Sequence, residues 1–195
     1  MNWPSKTLHS QTGFSMIEVM VSLVILLLGL LGLVGLILTS QRAETESYQR
    51  SQALLLLQDM AGRINSNRRV PACYAITTNL VNGTPYLGIG SAVTPSCGFG
   101  TAQANSLAIN DLTAWNALLT GTTETQGSSN IGAMVGARGC VSFNNVTGAY
   151  LVSVAWQGIV ATAPPLSGLT CGMGLYGNES LRRVVSMNLN IANLN

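Results

Sequence analysis

Gly13-Phe14-Ser15-Met16-Ile17-Glu18-Val19 opens an apolar run that continues to Leu38, interrupted only by Ser22 and by Gly29, Gly32 and Gly35. At 1.5 Å rise per residue, twenty helical residues cover about 30 Å, the thickness of a bilayer's hydrocarbon core. A removable secretory signal has a shorter apolar region followed by a small-residue cleavage site. Here the run passes into Thr39-Ser40-Gln41-Arg42, so the segment is expected to stay as a membrane anchor. Upstream, residues 1–13 are polar, with Lys6 as their only fixed positive side chain. Glu18 breaks the pattern. An ionisable group at the edge of a membrane span is costly unless paired, which points to a function. The alternative is a carboxylate merely solvated at the headgroup level.

Gly13, then Phe14, then three residues, then Glu18 at the mouth of a long hydrophobic helix resembles the processing site of class III signal peptides, those of type IV pilins and type II secretion pseudopilins. The resemblance implies cleavage after Gly13 by an inner-membrane prepilin peptidase, N-methylation of the new amino group on Phe14, and a mature chain of residues 14–195. Ser10-Gln11-Thr12 departs from the Lys or Arg often found beside that glycine. On this reading, Glu18 of an incoming subunit pairs with the Phe14 amine of its neighbour in the growing filament. Such a pair is weighted far more heavily in lipid or a filament core than in water. An unpaired charge there is expensive, so the pair sets register more than it adds net stability.

Composition bounds the remainder. The chain has 195 residues, 47% of them hydrophobic and only 8% charged, with net charge +2. Ordinary globular domains carry about 25% charged residues, so this is not the profile of a typical cytosolic enzyme. Disorder is excluded too, because it combines low hydrophobicity with high net charge. Residues 67–195 hold few charges and most of the glycines, with many Asn, Thr and Ser. That neutral-polar, loop-rich character suits an exported domain.

Its four cysteines, Cys73, Cys97, Cys140 and Cys171, read as two disulfides in an oxidising compartment. No CxxC pair and no nearby histidine supports a zinc site. Three connectivities are possible. Cys73–Cys97 and Cys140–Cys171 are favoured because each joins segments close in the chain.

Helical character should persist past the membrane. No proline occurs from Glu44 to Asn65, and Leu54, Leu57, Ala61 and Ile64 recur at three- and four-residue spacing. Leu55, Leu56 and Met60 widen the stripe, and Pro71 and the Asn65–Arg69 cluster mark its end. One helix is expected from about Phe14 to Asn65, roughly 75–80 Å long. Residues 14–40 form its transmembrane and assembly half and residues 41–66 its amphipathic half. Residues 1–13 form the leader and residues 67–195 a globular head.

Within the head, residues 72–104 read as an irregular connection, and 121–139 as a Gly- and Thr-rich one. Asn110 or Asp111 is placed to cap a short helix through Leu119 that buries Trp115 and Leu118. Cys140–Phe143 begins a strand, Asn144–Gly148 turns, and Ala149–Gln157 follows with Tyr150, Val152, Val154 and Trp156 on one face. A third strand spans Arg183–Asn193, where Val185, Met187, Leu189 and Ile191 alternate with polar residues. Antiparallel strands packed on the amphipathic half of a long helix make an α+β fold, and the resemblance implies the type IV pilin-like version of it. The blocks Arg138-Gly139-Cys140-Val141, Tyr150–Gly158 and Arg182-Arg183-Val184-Val185-Ser186 look like minor pilins of the PilV type.

Several signals invite a different reading. Gly172-Met173-Gly174-Leu175-Tyr176-Gly177 fits GxGxxG, but no strand precedes it and no amphipathic helix follows. The only histidine, His9, sits in the segment expected to be removed, so no Ser-His or Cys-His arrangement can be built in the mature chain. Asp111, Glu124 and Glu179 are widely separated, leaving acid–base or metal chemistry thin. The expectation is a non-enzymatic protein without cofactor or metal.

The leading expectation is a minor pilin in an initiating or tip complex of a type IV pilus, serving motility, adhesion or DNA uptake. Implied partners are other minor pilins, the major pilin, the prepilin peptidase, the inner-membrane assembly platform and the membrane itself through residues 19–38. Before assembly the chain would span the inner membrane with its head in the periplasm; afterwards it would lie in the extracellular pilus. A type II secretion pseudopilin is the alternative. A nucleic-acid receptor reading phosphates through Arg68-Arg69 or Arg182-Arg183 is another.

Overall fold

The structure, a computed structural model, describes residues 13–122, 125–127, 129–130 and 134–191. The leader residues 1–12 with Lys6 and His9, Glu124, and the tail of the expected last strand at 192–193 lie outside the described residues. In chain order the elements are α1 (Met16–Ser66), a 3-10 turn (Pro71–Tyr74), β1 (Leu87–Gly88), α2 (Ala102–Thr120), β2 (Thr125–Gln126), β3 (Ser129–Asn130), β4 (Arg138–Asn144), β5 (Ala149–Gln157), a second 3-10 turn (Glu179–Leu181) and β6 (Arg182–Asn190). Two compact units divide the chain, Met1–Glu44 and Thr45–Asn195.

In the first unit, every described residue is exposed, its large apolar side chains included. Helix α1 starts at Met16 because Ser15 supplies the first acceptor, its carbonyl taking the N–H groups of Glu18 and Val19 at 3.0 and 3.3 Å. It ends where Asn67 N closes on Arg63 O at 3.1 Å, shortly before Pro71.

Residues 45–66 of α1 belong to the second unit and bury Gln49, Ala53, Leu57, Met60, Ala61 and Ile64. Leu57, Met60, Ala61 and Ile64 of the expected stripe face inward, and the difference lies at its start. Leu54 and Leu55 are exposed, and Ala53 takes the inward position. Successive helical residues step by about 100°, so an arc centred on Ala53, Leu57 and Ile64 carries Leu54 and Leu55 out to solvent. A run of four leucines hides this choice from periodicity alone.

Four antiparallel strands form the sheet in the order β1-β4-β5-β6. Register places Val141 opposite Val152, which in turn faces Met187. Val141, Tyr150, Val152, Val154 and Trp156 join Met60, Ile64, Leu112, Trp115 and Leu119 in one core. Val185, Met187 and Leu189 pack against that core but stay half-buried, because β6 is an edge strand with no neighbour beyond it. The strand β4 begins at Arg138, two residues before Cys140, where β1 pairs with it. Two-residue strands such as β1 carry no alternation of their own, so the sequence reads them as irregular.

The helix before the sheet differs most from expectation. α2 begins at Ala102, capped by Thr101, whose hydroxyl accepts from Ala104 N at 3.3 Å. Asp111 is therefore mid-helix and buried rather than a cap. Trp115 and Leu119 face the core, while Leu118 is half-buried. Trp115 lies directly over β4, and a Cβ at Gly139 would collide with its ring and with Leu119. Its indole N–H also reaches Leu56 O of α1 at 2.9 Å.

Cys73 pairs with Cys97 and Cys140 with Cys171, with Cα separations of 5.2 and 5.8 Å. The first joins the turn after α1 to the segment entering α2. The second lies on the sheet face away from α1 and α2, in a small cluster with Ala155 and Tyr176. Helix, sheet and disulfides together make the α+β, type IV pilin-like fold.

Candidate processing and assembly site

Gly13 and Phe14 precede the first turn of α1, in non-helical backbone. Among the described residues, a side chain at Gly13 would have nothing within 4 Å. Phe14 is 86% exposed. Glu18 lies in the first turn of α1, where unpaired N–H groups favour a negative charge. Phe14, Glu18, Val19, Ser22, Leu23 and Leu26 line one shallow groove along the helix. Ser22 Oγ donates to the Glu18 carbonyl at 2.6 Å and so turns away from the carboxylate. Among the described residues, no side chain bonds to or pairs with that carboxylate. Arg42 is the only lysine or arginine of residues 13–44, and it is 24 positions further on. Chemically, the groove offers one carboxylate and one hydroxyl on an otherwise apolar surface.

The prokaryotic N-terminal methylation motif matches residues 8–34. That motif supports a type IV pilin-like or pseudopilin-like protein, and it implies processing by prepilin peptidase and assembly with other pilins. No curated protein and no solved structure matches the chain. The match ends inside α1 and does not reach the head. Among the described residues, α1 is one helix long and apolar enough to cross a membrane, consistent with membrane anchoring.

The head's charged residues are mostly committed to each other. Arg182 is buried and pairs with Glu179 at 2.6 Å, while Nη1 donates to Leu169 O and Cys171 O. Arg183 Nη2 reaches Glu46 Oε1 at 3.3 Å, and the Arg183 guanidinium also donates to Ser180 O and Val160 O. The same Glu46 oxygen accepts from Ile159 N and Val160 N. These two arginines therefore close loops onto the sheet and the helix, and phosphate would have to displace their carboxylates. Arg68 and Arg69 are exposed, with Arg68 Nε donating to Asn65 O at 3.2 Å.

Arg138 lies over the rings of Tyr86 and Tyr176, at 5.5 and 4.7 Å from their centroids. Gly172, Gly174 and Gly177 all have positive φ in a loop flanked by no strand on its N-terminal side, which is not a dinucleotide turn. Trp115 and Trp156 are core residues. Among the described residues, no group of three or more His, Cys, Asp or Glu is placed to hold a metal ion. From sequence, Glu46 is expected to be solvated with Gln41, Arg42 and Glu44 just past the apolar run; the structure instead pairs it with Arg183.

Proposed function

We propose that this chain is a minor type IV pilin of the PilV type. Its first-unit helix is held in the inner membrane until Glu18 recruits it, through a neighbour's Phe14 amine, into an initiating or tip-proximal pilus complex. The observation that carries this is the exposed Gly13–Phe14 bond beside an unpartnered Glu18 on an apolar helix. A carboxylate so placed is tolerated by a membrane protein when a partner amine arrives from outside the chain. The blocks at Arg138–Val141, Tyr150–Gly158 and Arg182–Ser186 support the subtype: they form β4, β5 and the start of β6. Before assembly the head faces the periplasm, where its two disulfides form. Motility, adhesion or DNA uptake then follow from pilus formation rather than from chemistry in the head.

The test is genetic and biochemical. A strain lacking this chain should lose or thin its surface pili, and a tagged copy should be recovered from sheared pili with other minor pilins. Recovery with secretion components in place of pilins would assign it as a type II secretion pseudopilin instead.

A further inference from the structure

On the sheet face away from the core, outward residues of β4, β5 and β6 floor a cleft of about 220 Å³. Ser142, Leu151 and Asn188 stand in one cross-strand row, and Ser153 stands in another, opposite Cys140. The walls come from the loops at Leu80–Gly83 and Gly168–Cys171 and from the turn joining β4 to β5. Thr170 Oγ1 ties the first two walls together by donating to Leu80 O at 2.9 Å.

Ser142 and Ser153 are 8% and 3% exposed as whole residues, but their hydroxyls are not among the buried atoms that lack a partner, so each keeps access to the cleft it lines. Each hydroxyl offers the cleft a donor and two acceptor sites. No Lys, Arg, Asp or Glu lines the cleft. Near these walls in the chain, Val81, Val146 and Leu166 are 73%, 89% and 79% exposed, Val81 and Val146 within the first loop and the β4–β5 turn and Leu166 two residues before the Gly168–Cys171 loop.

We propose that this cleft binds a neutral saccharide ring. A phosphate or carboxylate ligand would enter without a countercharge, and a hydrocarbon would leave the serine hydroxyls and Asn188 unpaired in a desolvated site. A neutral pyranose meets both conditions: its hydroxyls pair with Ser142, Ser153 and Asn188, and its C–H face lies on Leu80 and Leu151. The volume falls below the ~300 Å³ at which drug-sized pockets begin, so one ring enters. Further units of a longer glycan lie across the apolar rim. The cleft is independent of the proposed assembly role, because no residue of α1 lines it.

The test uses the full chain in a zwitterionic detergent, since alkyl glycosides would compete. It is applied to immobilised neutral and acidic oligosaccharides, with free hexoses and soluble oligosaccharides as competitors. Retention on neutral, hexose-terminated arms is expected. Displacement by free hexose identifies the single ring as sufficient, and displacement by oligosaccharide alone identifies a glycan terminus. The Ser142→Ala, Ser153→Ala double variant should weaken retention at least tenfold. Gly168 lines the cleft and a Cβ there meets nothing within 4 Å, so Gly168→Trp should block entry without changing the melting temperature. Absence of retention, retention only on sialylated or sulfated arms, preference for peptides, or indifference to Gly168→Trp would each overturn the proposal.

Discussion

Tyr74 Oη donates to Asp111 Oδ2 at 2.5 Å, joining the turn that follows α1 to the middle of α2. The other oxygen of Asp111 takes Arg63 Nη1 from α1 at 3.0 Å, and Arg63 Nε holds Asp59 at 2.8 Å. Asn67 Nδ2 completes the network by donating to Tyr74 Oη at 3.2 Å and to Ala104 O at 2.9 Å. Burial, reinforced by the bond to Asp111, pushes the Tyr74 phenol well above its ordinary range, so it stays a neutral donor. Three segments thus share one desolvated carboxylate. Removing it should leave several buried groups short of a partner.

Asp111→Ala should therefore destabilise the protein by about 2–4 kcal/mol, since it strands a phenol and half of a guanidinium. Tyr74→Phe should cost less, about 1–2 kcal/mol. Because the two share one bond, the double variant should be less costly than the sum of the singles. Denaturant melts of all three variants check this; strict additivity would show that the pair is not coupled.

The mature protein should begin at Phe14 with a methylated amine. Lys6 is the only lysine, so after cleavage the α-amine is the chain's single amine nucleophile. Mass spectrometry of the N-terminal peptide reads both events at once. Cleavage beyond residue 38, or none, would remove the assembly reading.

Glu18→Ala and Glu18→Gln should both lower the amount of this chain in sheared pili while leaving processing and head stability unchanged. Alanine is the better helix former, and Glu18 belongs to the first unit and not to the head's core. What is lost is the partner for a neighbour's amine, at several kcal/mol by analogy with broken buried pairs. Quantitative immunoblots of pili and inner membranes distinguish the outcomes. Wild-type abundance of either variant in pili would exclude the charge pair as the recruiting contact.

Each disulfide should contribute roughly 3–4 kcal/mol in the chain-entropy account for loops of this length. Cys140→Ala with Cys171→Ala should lower the melting temperature, and peptide mapping without reduction should recover Cys73–Cys97 and Cys140–Cys171. Four alkylatable thiols in the exported protein would contradict both.

Glu179 gives the head an acid-sensitive contact. Partial burial raises its pKa, but the Arg182 guanidinium and the Gly174 N–H outweigh that, and the net shift is downward from 4.5. A lowered folded-state pKa means that the unfolded chain binds the proton first as pH falls. The contribution is present above the unfolded value and is lost as pH drops through the folded one. Glu179→Gln should accordingly flatten the fall in melting temperature below about pH 4.5. An unchanged acid limb would assign that loss to other carboxylates.

Sequence alone determined the features that depend on near neighbours in the chain. The processing motif at Gly13–Val19, the unbroken helix of α1 and the alternation of β5 are written in local spacing, and each appears where that spacing puts it. So do the central strand pair and its turn, because Asn144–Gly148 and the flanking alternation are contiguous. Tertiary structure decided everything set by partners far along the chain. Which of Ala53, Leu54 and Leu55 turns inward depends on where the sheet and α2 lie, and a leucine run is equally apolar on every side. Asp111 looked like a cap until Tyr74 and Arg63 were brought to it from 37 and 48 residues away. Glu46 looked solvated until Arg183 arrived from 137 residues away. The cleft beside Cys140–Cys171 exists because register puts Ser142, Ser153 and Asn188 on one face while two distant loops wall it. Local pattern encodes backbone preference, whereas the pairing of polar groups depends on which desolvated neighbours the fold supplies.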